Sequence, residues 1–263
     1  MNTHHYYNGL QIREIFHIEF LRVFARKLKP NFYALKGGVN MRLYFKGVRY
    51  SEDMDMDVNT VNIVMLRDIV TKIATSTSFI NELKPFGIES IRPPDMTKAK
   101  QTGTTQRFKI HIITHSNEDL FTKIEFSRRQ NPGNFVTESV PDRVLRPYRV
   151  APLIISHYDI NAAVIQKINA LALRKVVQAR DIFDIYTLST QYSVEDDGAI
   201  AVDSKTAETS CENVLSVGFN QFRDTVLSYL SDDDRSIYDN PDIWDKIKLK
   251  VDEFIGYVCQ KHP

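Results

Sequence analysis

The most informative stretch of this sequence is Arg49-Tyr50-Ser51-Glu52-Asp53-Met54-Asp55-Met56-Asp57-Val58. Acidic and apolar residues alternate from Asp53 onward, a pattern that predicts a strand with one charged and one apolar face. Asp53, Asp55 and Asp57 would then share a face, spaced about 7 Å apart along the strand. Carboxylates this close repel one another unless a cation lies between them. Their oxygen ligands favour Mg²⁺ or Mn²⁺.

A glycine pair precedes this stretch. Residues 31–35 predict a short strand, and Lys36-Gly37-Gly38 leads from it into a predicted helix from Val39 to Phe45. Glycine lets the backbone approach a phosphate closely, and a helix N-terminus offers N–H groups. A triphosphate bound by these amides needs a divalent metal on its other side. The acidic stretch, which begins at Ser51 and Asp53, follows at the short range that such a metal requires.

A simpler interpretation of both motifs remains open. The alternating acidic residues would also suit a solvated edge strand, where charge prevents pairing with another chain. Gly37-Gly38 would then be an ordinary turn between a strand and a helix.

Length and composition predict an ordinary globular protein. The chain has 263 residues, is 43% hydrophobic and 25% charged, and carries a formal charge of +1, so a site for a polyanion must be local. Cys211 and Cys259 cannot frame a disulfide scaffold. The N-terminal residues lack a signal-peptide pattern, and no apolar run approaches about 18 residues. We therefore expect a cytoplasmic protein with no membrane partner.

The sequence also predicts where a third carboxylate lies. Residues 12–28 and 61–83 have helical periodicity, whereas 106–114 and 119–127 read as the two strands of a hairpin. In the second strand Glu125 falls on one face with Lys123. We expect this strand to lie beside the one that carries Asp53, which makes Glu125 the candidate third carboxylate. A glutamate that is merely exposed on a strand is the alternative.

The segment from Ser127 to Arg149 has a different character. It is rich in proline and arginine, with the basic residues Arg128, Arg129, Arg143, Arg146 and Arg149. It predicts an irregular segment that is either a solvated connector or a loop contacting a polyanion. We place a domain boundary near its end, giving domains 1–150 and 151–263. The second domain is predicted to be mainly helical, with a polar loop over 193–210.

A charged stripe is predicted within the helical part. Lys167, Arg174 and Asp181 are spaced by seven residues, and Asp184 lies one turn beyond Asp181. Spacing alone favours a solvated helix face with an Arg180–Asp184 pair.

The order of these motifs resembles a known family. Leu35-Lys36-Gly37-Gly38, Arg49-x-Ser51-x-Asp53-x-Asp55, Lys123-Ile124-Glu125 and Lys167-x-x-Ala170-Leu171-x-x-Arg174, closing with Arg180-Asp181-x-x-Asp184, are similar to the motifs of the AbiEii/AbiGii abortive-infection toxins. These are nucleotidyltransferase-like proteins of the DNA polymerase beta superfamily. The motifs span about residues 33–188. Val39 replaces a frequent hydroxyl residue, and Glu125 stands where aspartate is common.

The resemblance implies an α+β fold, in which a mixed-sheet nucleotidyltransferase domain precedes a mainly helical C-terminal domain, with NTP bound in the cleft between them. It assigns the metal to Asp53, Asp55 and Glu125. It also assigns nucleotide contacts, which fall on Gly37, Gly38, Ser51, Lys167, Asp181 and Asp184. Lys167 would neutralise the triphosphate. The two aspartates would hold two Mg²⁺ ions about 3.5–4 Å apart, as in two-metal phosphoryl transfer.

The same resemblance implies a toxin that transfers a nucleotide monophosphate to RNA such as tRNA, with a cognate antitoxin as partner. The alternatives are transfer to a protein or small molecule, a nucleotide-binding protein without transfer activity, and a protein-interaction scaffold that binds neither metal nor NTP.

Overall fold

The computed structural model describes residues 7–97, 99–128, 134–193 and 200–259. The chain divides into two compact units. The first comprises residues 1–43, 50–131 and 136–157, and the second comprises 44–49, 132–135 and 158–263. The sequence-based boundary at residue 150 stays a prediction.

Seven strands form one mixed sheet in the order β3-β4-β5-β2-β1-β7-β6. The strands are β1 (Tyr33–Lys36), β2 (Met54–Val58), β3 (Ile88–Arg92), β4 (Thr105–Thr114), β5 (Asp119–Ser127), β6 (Phe135–Ser139) and β7 (Ile154–Tyr158). β2 is antiparallel to β1 and parallel to β5, and β4 is antiparallel to both β3 and β5. The predicted mixed sheet and hairpin are confirmed.

Helices accompany the sheet in the first unit. They are α1 (Gly9–Ala25), α2 (Gly37–Tyr44), α3 (Ile63–Ala74), α4 (Thr77–Leu83) and α5 (Asp142–Leu145), with 3-10 turns at Pro30–Phe32, Lys84–Phe86 and Arg146–Tyr148. The Asn8 side chain caps α1 by accepting from the backbone N–H of Gln11, and Asn62 caps α3 in the same way.

Apolar and polar side chains alternate along β2 and β5, and this alternation determines which face of the sheet packs into the core. Met54 and Met56 of β2 and Ile124 and Phe126 of β5 are fully buried. The ring of Phe24 from α1 lies 5.4 Å from that of Phe126, so α1 packs on this apolar face. The intervening positions project from the opposite face. The acidic side chains of β2 therefore project from the face of the sheet that α1 does not cover.

Three sequence-based boundaries are wrong. The helix predicted over 61–83 is broken into α3 and α4, because the Ser76 hydroxyl accepts from Phe79 and starts a new helix. The segment predicted to be irregular contains β6 and α5. Within the predicted polar loop a helix begins at Ser204, capped by Asp203; residues 194–199 of that loop lie outside the described residues.

The second unit is helical, as predicted. Its helices are α6 (Ile160–Leu173), α7 (Ala179–Ser189), α8 (Ser204–Ser216), α9 (Phe219–Thr225), α10 (Asp232–Tyr238) and α11 (Pro241–Cys259), with a 3-10 turn at Leu227–Tyr229. The buried Trp244 of α11 stacks on Phe222, with ring centroids 4.2 Å apart, and its indole N–H donates to the Val217 carbonyl. Among the described residues, no helix is long and apolar enough to cross a membrane.

Candidate nucleotide and metal site

The sheet places the predicted carboxylates side by side. β2 and β5 run parallel with Asp55 opposite Glu125, so these two side chains project from the same face of neighbouring strands. Asp53 immediately precedes β2. The predicted position of Glu125, on the strand beside the acidic one, is confirmed. All three carboxylates belong to the first unit.

Gly37 brings the backbone against the Asp55 carboxylate. Its φ of +69° lies in the left-handed region, which glycine occupies without steric cost. A Cβ atom at this position would lie 2.9 Å from Asp55 Oδ2. Gly38 follows in the first turn of α2. The turn between β1 and α2 therefore requires glycine at position 37, and binding of a phosphate by this turn stays a prediction.

Cations neutralise most of the acidic face. Lys123 Nζ lies 2.6 Å from Asp53 Oδ2, and Arg107 pairs with Glu125 across the hairpin. Lys36 Nζ lies 2.5 Å from Asp57 Oδ1. Asp57 was placed on the acidic face by alternation, but this ion pair gives it a structural role beside the site.

Burial and a neighbouring carboxylate both disfavour the ionised form of Asp55. Burial and then the charge of Glu125 raise the pKa of Asp55 above its usual value, with Lys36 opposing the shift. A divalent cation is the partner that would relieve this repulsion, because it favours the ionised form of a carboxylate. The electrostatics of Asp55 therefore match those of a metal ligand.

Asp53 presents an oxygen that suits a metal. Its Oδ1 atom is buried without a hydrogen-bond partner, while Oδ2 pairs with Lys123. The Ser51 hydroxyl donates to the Asp53 carbonyl at 2.7 Å and so shapes the turn into β2. A buried oxygen without a partner is costly unless something binds it. This oxygen therefore fits a cation, and Ser51 fixes the backbone that carries it.

The donor set fits Mg²⁺ or Mn²⁺, since every candidate ligand is a carboxylate oxygen. In the described part of the chain, no three His, Cys, Asp or Glu side chains are already grouped at metal-ligand spacing. Two of the candidate ligands, Asp53 and Glu125, are held in ion pairs with Lys123 and Arg107.

Sequence reasoning missed a buried hydrogen-bond chain behind the site. His17 Nε2 lies 2.8 Å from the Thr122 hydroxyl, which donates to the Glu52 carbonyl at 2.7 Å. Since the Thr122 proton is used on Glu52, His17 is the donor to Thr122. Burial, followed by the charge of Arg13, lowers the pKa of His17 to about 3. A neutral His17 thus holds the residue before Asp53, and no local motif signals this.

The charged stripe of the second unit is buried. Lys167 Nζ lies 2.9 Å from Asp181 Oδ1 and 2.6 Å from Asp184 Oδ2. Arg49 pairs with Asp184 at 3.2 Å, and Arg174 with Asp181 at 3.2 Å. Side-chain exposure is 12% for Lys167, 1% for Asp181 and 4% for Asp184, so a solvated helix face is excluded. We call these five residues the helical ion cluster.

Mutual attraction keeps the helical ion cluster charged. Burial alone would lower the pKa of Lys167, but the charges of Asp184 and Asp181 outweigh it and raise the pKa. Burial opposes ionisation of Asp184, yet Arg49 and Lys167 lower its pKa. Arg49 was not singled out as a partner, because 135 residues separate it from Asp184.

Two arginines of the basic segment after β5 donate hydrogen bonds within the protein. Arg128 donates to the Val61 carbonyl at 3.1 Å and to Gln106, and Arg143 donates to the Leu43 carbonyl at 3.2 Å. Arg129 lies outside the described residues. The structure therefore lends little support to this segment as the surface for a polyanion.

Gly37→Ala provides a test of the glycine loop. We expect it to lower the free energy of unfolding by about 1–3 kcal/mol, because alanine is disfavoured at this φ and its Cβ meets Asp55. The control is Gly103→Ala, where a Cβ meets nothing within 4 Å, and a change below about 0.5 kcal/mol is expected. Chemical denaturation measures both. Equal stability of the two variants would show that the Gly37 conformation is unimportant.

Comparisons with known proteins agree with this geometry. The sequence matches the family of the nucleotidyl transferase AbiEii toxin, type IV toxin–antitoxin system, over residues 19–245. No curated protein matches it significantly.

Two solved structures illustrate the shared fold. JHP933 from Helicobacter pylori superposes with a TM-score of 0.55 and 17% identity, covering 98% of this chain and 94% of that one. MenT4, a nucleotidyltransferase toxin from Mycobacterium tuberculosis, superposes with a TM-score of 0.56 and 15% identity, covering 94% and 84%. The family match spans most of the sequence, and it agrees with the motifs from which the resemblance was drawn. This chain therefore belongs to the AbiEii family of nucleotidyltransferase toxins.

Proposed function

We propose that this chain is a Mg²⁺-dependent enzyme that transfers a nucleotide monophosphate from NTP to a hydroxyl group of an RNA such as tRNA. One observation carries the proposal: Asp55 and Glu125 are paired on adjacent parallel strands. Asp53 precedes the same strand, and a Cβ atom at Gly37 would lie 2.9 Å from Asp55 Oδ2. Family membership supports the transferase activity.

Asp53, Asp55 and Glu125 are the proposed metal ligands. When bound, Mg²⁺ (or Mn²⁺) supplies Lewis-acid stabilisation of negative charge on the reacting phosphates. Asp53 would ligate through Oδ1, which has no hydrogen-bond partner, while Oδ2 stays paired with Lys123. Arg107 is paired with Glu125, and displacement of that pair by the cation would leave Arg107 available to phosphate oxygens beside the site.

The glycine loop and the helical ion cluster supply the proposed nucleotide contacts. The amides of Gly37 and Gly38 bind phosphate oxygens at the start of α2. Ser51 contributes its hydroxyl if it releases the Asp53 carbonyl. Within the helical ion cluster, Lys167 is proposed to touch the triphosphate, and Asp181 and Asp184 to hold its ammonium group in place.

The transfer is a displacement at the α-phosphate. The acceptor oxygen forms a bond to the α-phosphorus, the bond from that phosphorus to the bridging oxygen of the β-phosphate breaks, and pyrophosphate leaves. Glu125 is proposed to accept the proton of the acceptor hydroxyl. The proposed biological setting is a cytoplasmic toxin held in check by a cognate antitoxin, as membership of a type IV toxin–antitoxin family suggests.

The acceptor is tested by incubating the protein with each α-labelled NTP, Mg²⁺ and total RNA, followed by gel separation. We expect label in tRNA-sized RNA and equimolar pyrophosphate release. The Asp53→Asn variant controls for contaminating enzymes and should give no label.

Other outcomes assign other functions. Label on protein alone would identify an enzyme that nucleotidylates proteins, and label on a small molecule would identify a small-molecule acceptor. NTP binding without pyrophosphate release would indicate a nucleotide-binding protein that lacks transfer activity. Any of these results would overturn the RNA proposal.

A further inference from the structure

The open face of the sheet continues outward from the carboxylates as a basic surface. β5 and β4 are paired so that Glu125 lies opposite Arg107, Lys123 opposite Lys109 and Phe121 opposite His111, and β3 adds Arg92 beside His111. Directly opposed residues share a face. We call the set Arg92, Arg107, Lys109, His111, Phe121 and Lys123 the outer sheet face.

The outer sheet face carries four Lys or Arg side chains, of which Arg107 is paired with Glu125 and Lys123 with Asp53. β4 contains no acidic residue, and the acidic residues of β5 are Glu125 at one end and Asp119 at the other. Asp119 is engaged by His111 at 2.8 Å and by Arg92 at 3.4 Å. Lys109 is exposed and pairs with no carboxylate among the described residues. Lys and Arg side chains therefore lie between Glu125 and Asp119 on this face of the sheet.

An aromatic ring lies in the middle of this path. The Phe121 ring is contacted edge-on by His111, with centroids 5.6 Å apart, and Lys109 Nζ lies 5.9 Å from its centroid. Phe121 lies on the charged face and is therefore only partly buried. Its backbone is held by Arg13, which donates to the Phe121 carbonyl at 2.8 Å. The ring is thus a partly exposed platform flanked by Lys109 and His111.

Spacing connects this platform to the reacting groups. Glu125 lies four positions after Phe121, which corresponds to about 13 Å along a strand. A cationic groove with an exposed aromatic ring is the arrangement that binds single-stranded nucleic acid, whose bases stack while its phosphates contact Lys and Arg.

We infer that the outer sheet face binds a single-stranded segment of the acceptor RNA next to the hydroxyl group that reacts at Glu125 and Asp55. This inference rests on the proposed function, since it names the path by which the acceptor reaches that site. Lys109 and Arg92 contact the RNA backbone, and Phe121 stacks on an unpaired base. The surface lies entirely in the first unit and differs from the basic segment after β5.

Binding can be measured without metal, NTP or turnover. The probe is a 12-nucleotide single-stranded RNA with a fluorophore at its 5′ end, titrated with the full-length protein in EDTA and followed by anisotropy over about 50–200 mM salt. The Lys109→Gln/Arg92→Gln variant should raise Kd at least fivefold. It should also make the slope of log Kd against log salt concentration shallower by about 1.4, because each lost phosphate contact contributes about 0.7 to that slope for a single strand.

The aromatic contact is tested separately. Phe121→Leu keeps apolar bulk but loses the ring, and we expect it to weaken Kd at least fivefold with little change in salt dependence. Phe121→Trp should restore binding. Circular dichroism melts establish that each variant is folded.

Two controls exclude a general charge effect. Lys72→Gln removes an exposed cation from α3, which packs on the opposite face of the sheet, and should leave Kd within twofold. Arg146→Gln removes an exposed cation from the basic segment. Equal weakening by Arg146→Gln and Lys109→Gln/Arg92→Gln would overturn the inference.

The result separates this inference from the proposed function. RNA binding that depends on Lys109, Arg92 and Phe121 in a protein that transfers no nucleotide would uphold the surface and reject the activity. Transfer to RNA with binding indifferent to these three residues would uphold the activity and reject the surface. Transfer to protein that falls in the Lys109→Gln/Arg92→Gln variant would assign the face to a protein acceptor and also reject the inference.

Discussion

Asp55→Asn is expected to lower nucleotidyl transfer at least about a thousandfold, equivalent to about 4 kcal/mol of activation free energy. The amide has the same shape but carries no negative charge, so it cannot hold the proposed cation beside Gly37. Turnover of α-labelled NTP measures the loss. Asp68→Asn is the control, because Asp68 is an exposed aspartate on α3 paired with Arg67. Comparable loss in both variants would show that the effect is nonspecific.

The stability of the Asp55→Asn variant should change in the opposite direction. The raised pKa of Asp55 means that the folded protein binds this proton more tightly than the unfolded chain does. Asp55 therefore costs stability at pH values above its folded pKa, and this cost disappears as the pH falls below the usual aspartate value. We expect the metal-free variant to melt at or above the wild-type temperature at neutral pH, with the difference vanishing near pH 4.

Addition of Mg²⁺ and NTP should reverse this order. Ligands that bind only the folded state raise its melting temperature by mass action, so the wild type should gain stability and the variant should not. A variant that melts lower than the wild type without ligands, and gains as much as the wild type with them, would identify Asp55 as a structural residue.

Lys167→Ala is expected to have the largest effect on folding. It leaves Asp181 and Asp184 buried with less positive charge, and removing one partner of a buried ion pair costs about 3–5 kcal/mol. Urea denaturation measures the loss at neutral pH. Lys246→Ala, at an exposed position on α11, is the control and should change stability by less than about 0.5 kcal/mol.

The pH dependence of this loss identifies its cause. In the wild type the lowered pKa of Asp184 contributes stability that is present above the usual aspartate pKa and lost as the pH falls through the folded value. Lys167→Ala removes part of that contribution, so the difference between the two proteins should narrow in acid. A difference independent of pH would indicate lost packing.

Lys167→Arg separates stability from nucleotide binding. It preserves the charge, but a planar guanidinium differs in shape from an ammonium group. If Lys167 touches the triphosphate, a folded Lys167→Arg variant should lose at least about tenfold in kcat/KM for NTP. Unchanged kinetics in this variant would assign the helical ion cluster to stability alone.

Strand periodicity predicted the core of the site because it is a local property. Alternation fixed the faces of Asp55 and Glu125, and the hairpin between β4 and β5 followed from two β-rich runs around a polar turn. The partners of these carboxylates depend on strand register instead. Arg107 meets Glu125 only because of how β4 pairs with β5, and a shift of one residue would move it to the other face.

Helical periodicity predicted less of the second unit. The spacing of Lys167 and Asp181 is the same for a solvated stripe and a buried one, so only packing distinguishes the two. Arg49 completes the cluster from a position far away in the sequence, which no periodic pattern reveals. His17 likewise acts through Thr122, whose hydroxyl contacts the backbone of a third segment.

Direct observation of a bound divalent cation tests the central claim, independently of acceptor, base and antitoxin. Mn²⁺ titrated into the protein with NTP is followed by electron paramagnetic resonance, since bound Mn²⁺ loses the sharp signal of the free ion. We expect the wild type to bind Mn²⁺ beyond what NTP alone binds, and Asp53→Asn and Asp55→Asn, while folded, to lose this binding. Equal Mn²⁺ binding by the wild type and both variants would show that Asp53 and Asp55 are not metal ligands.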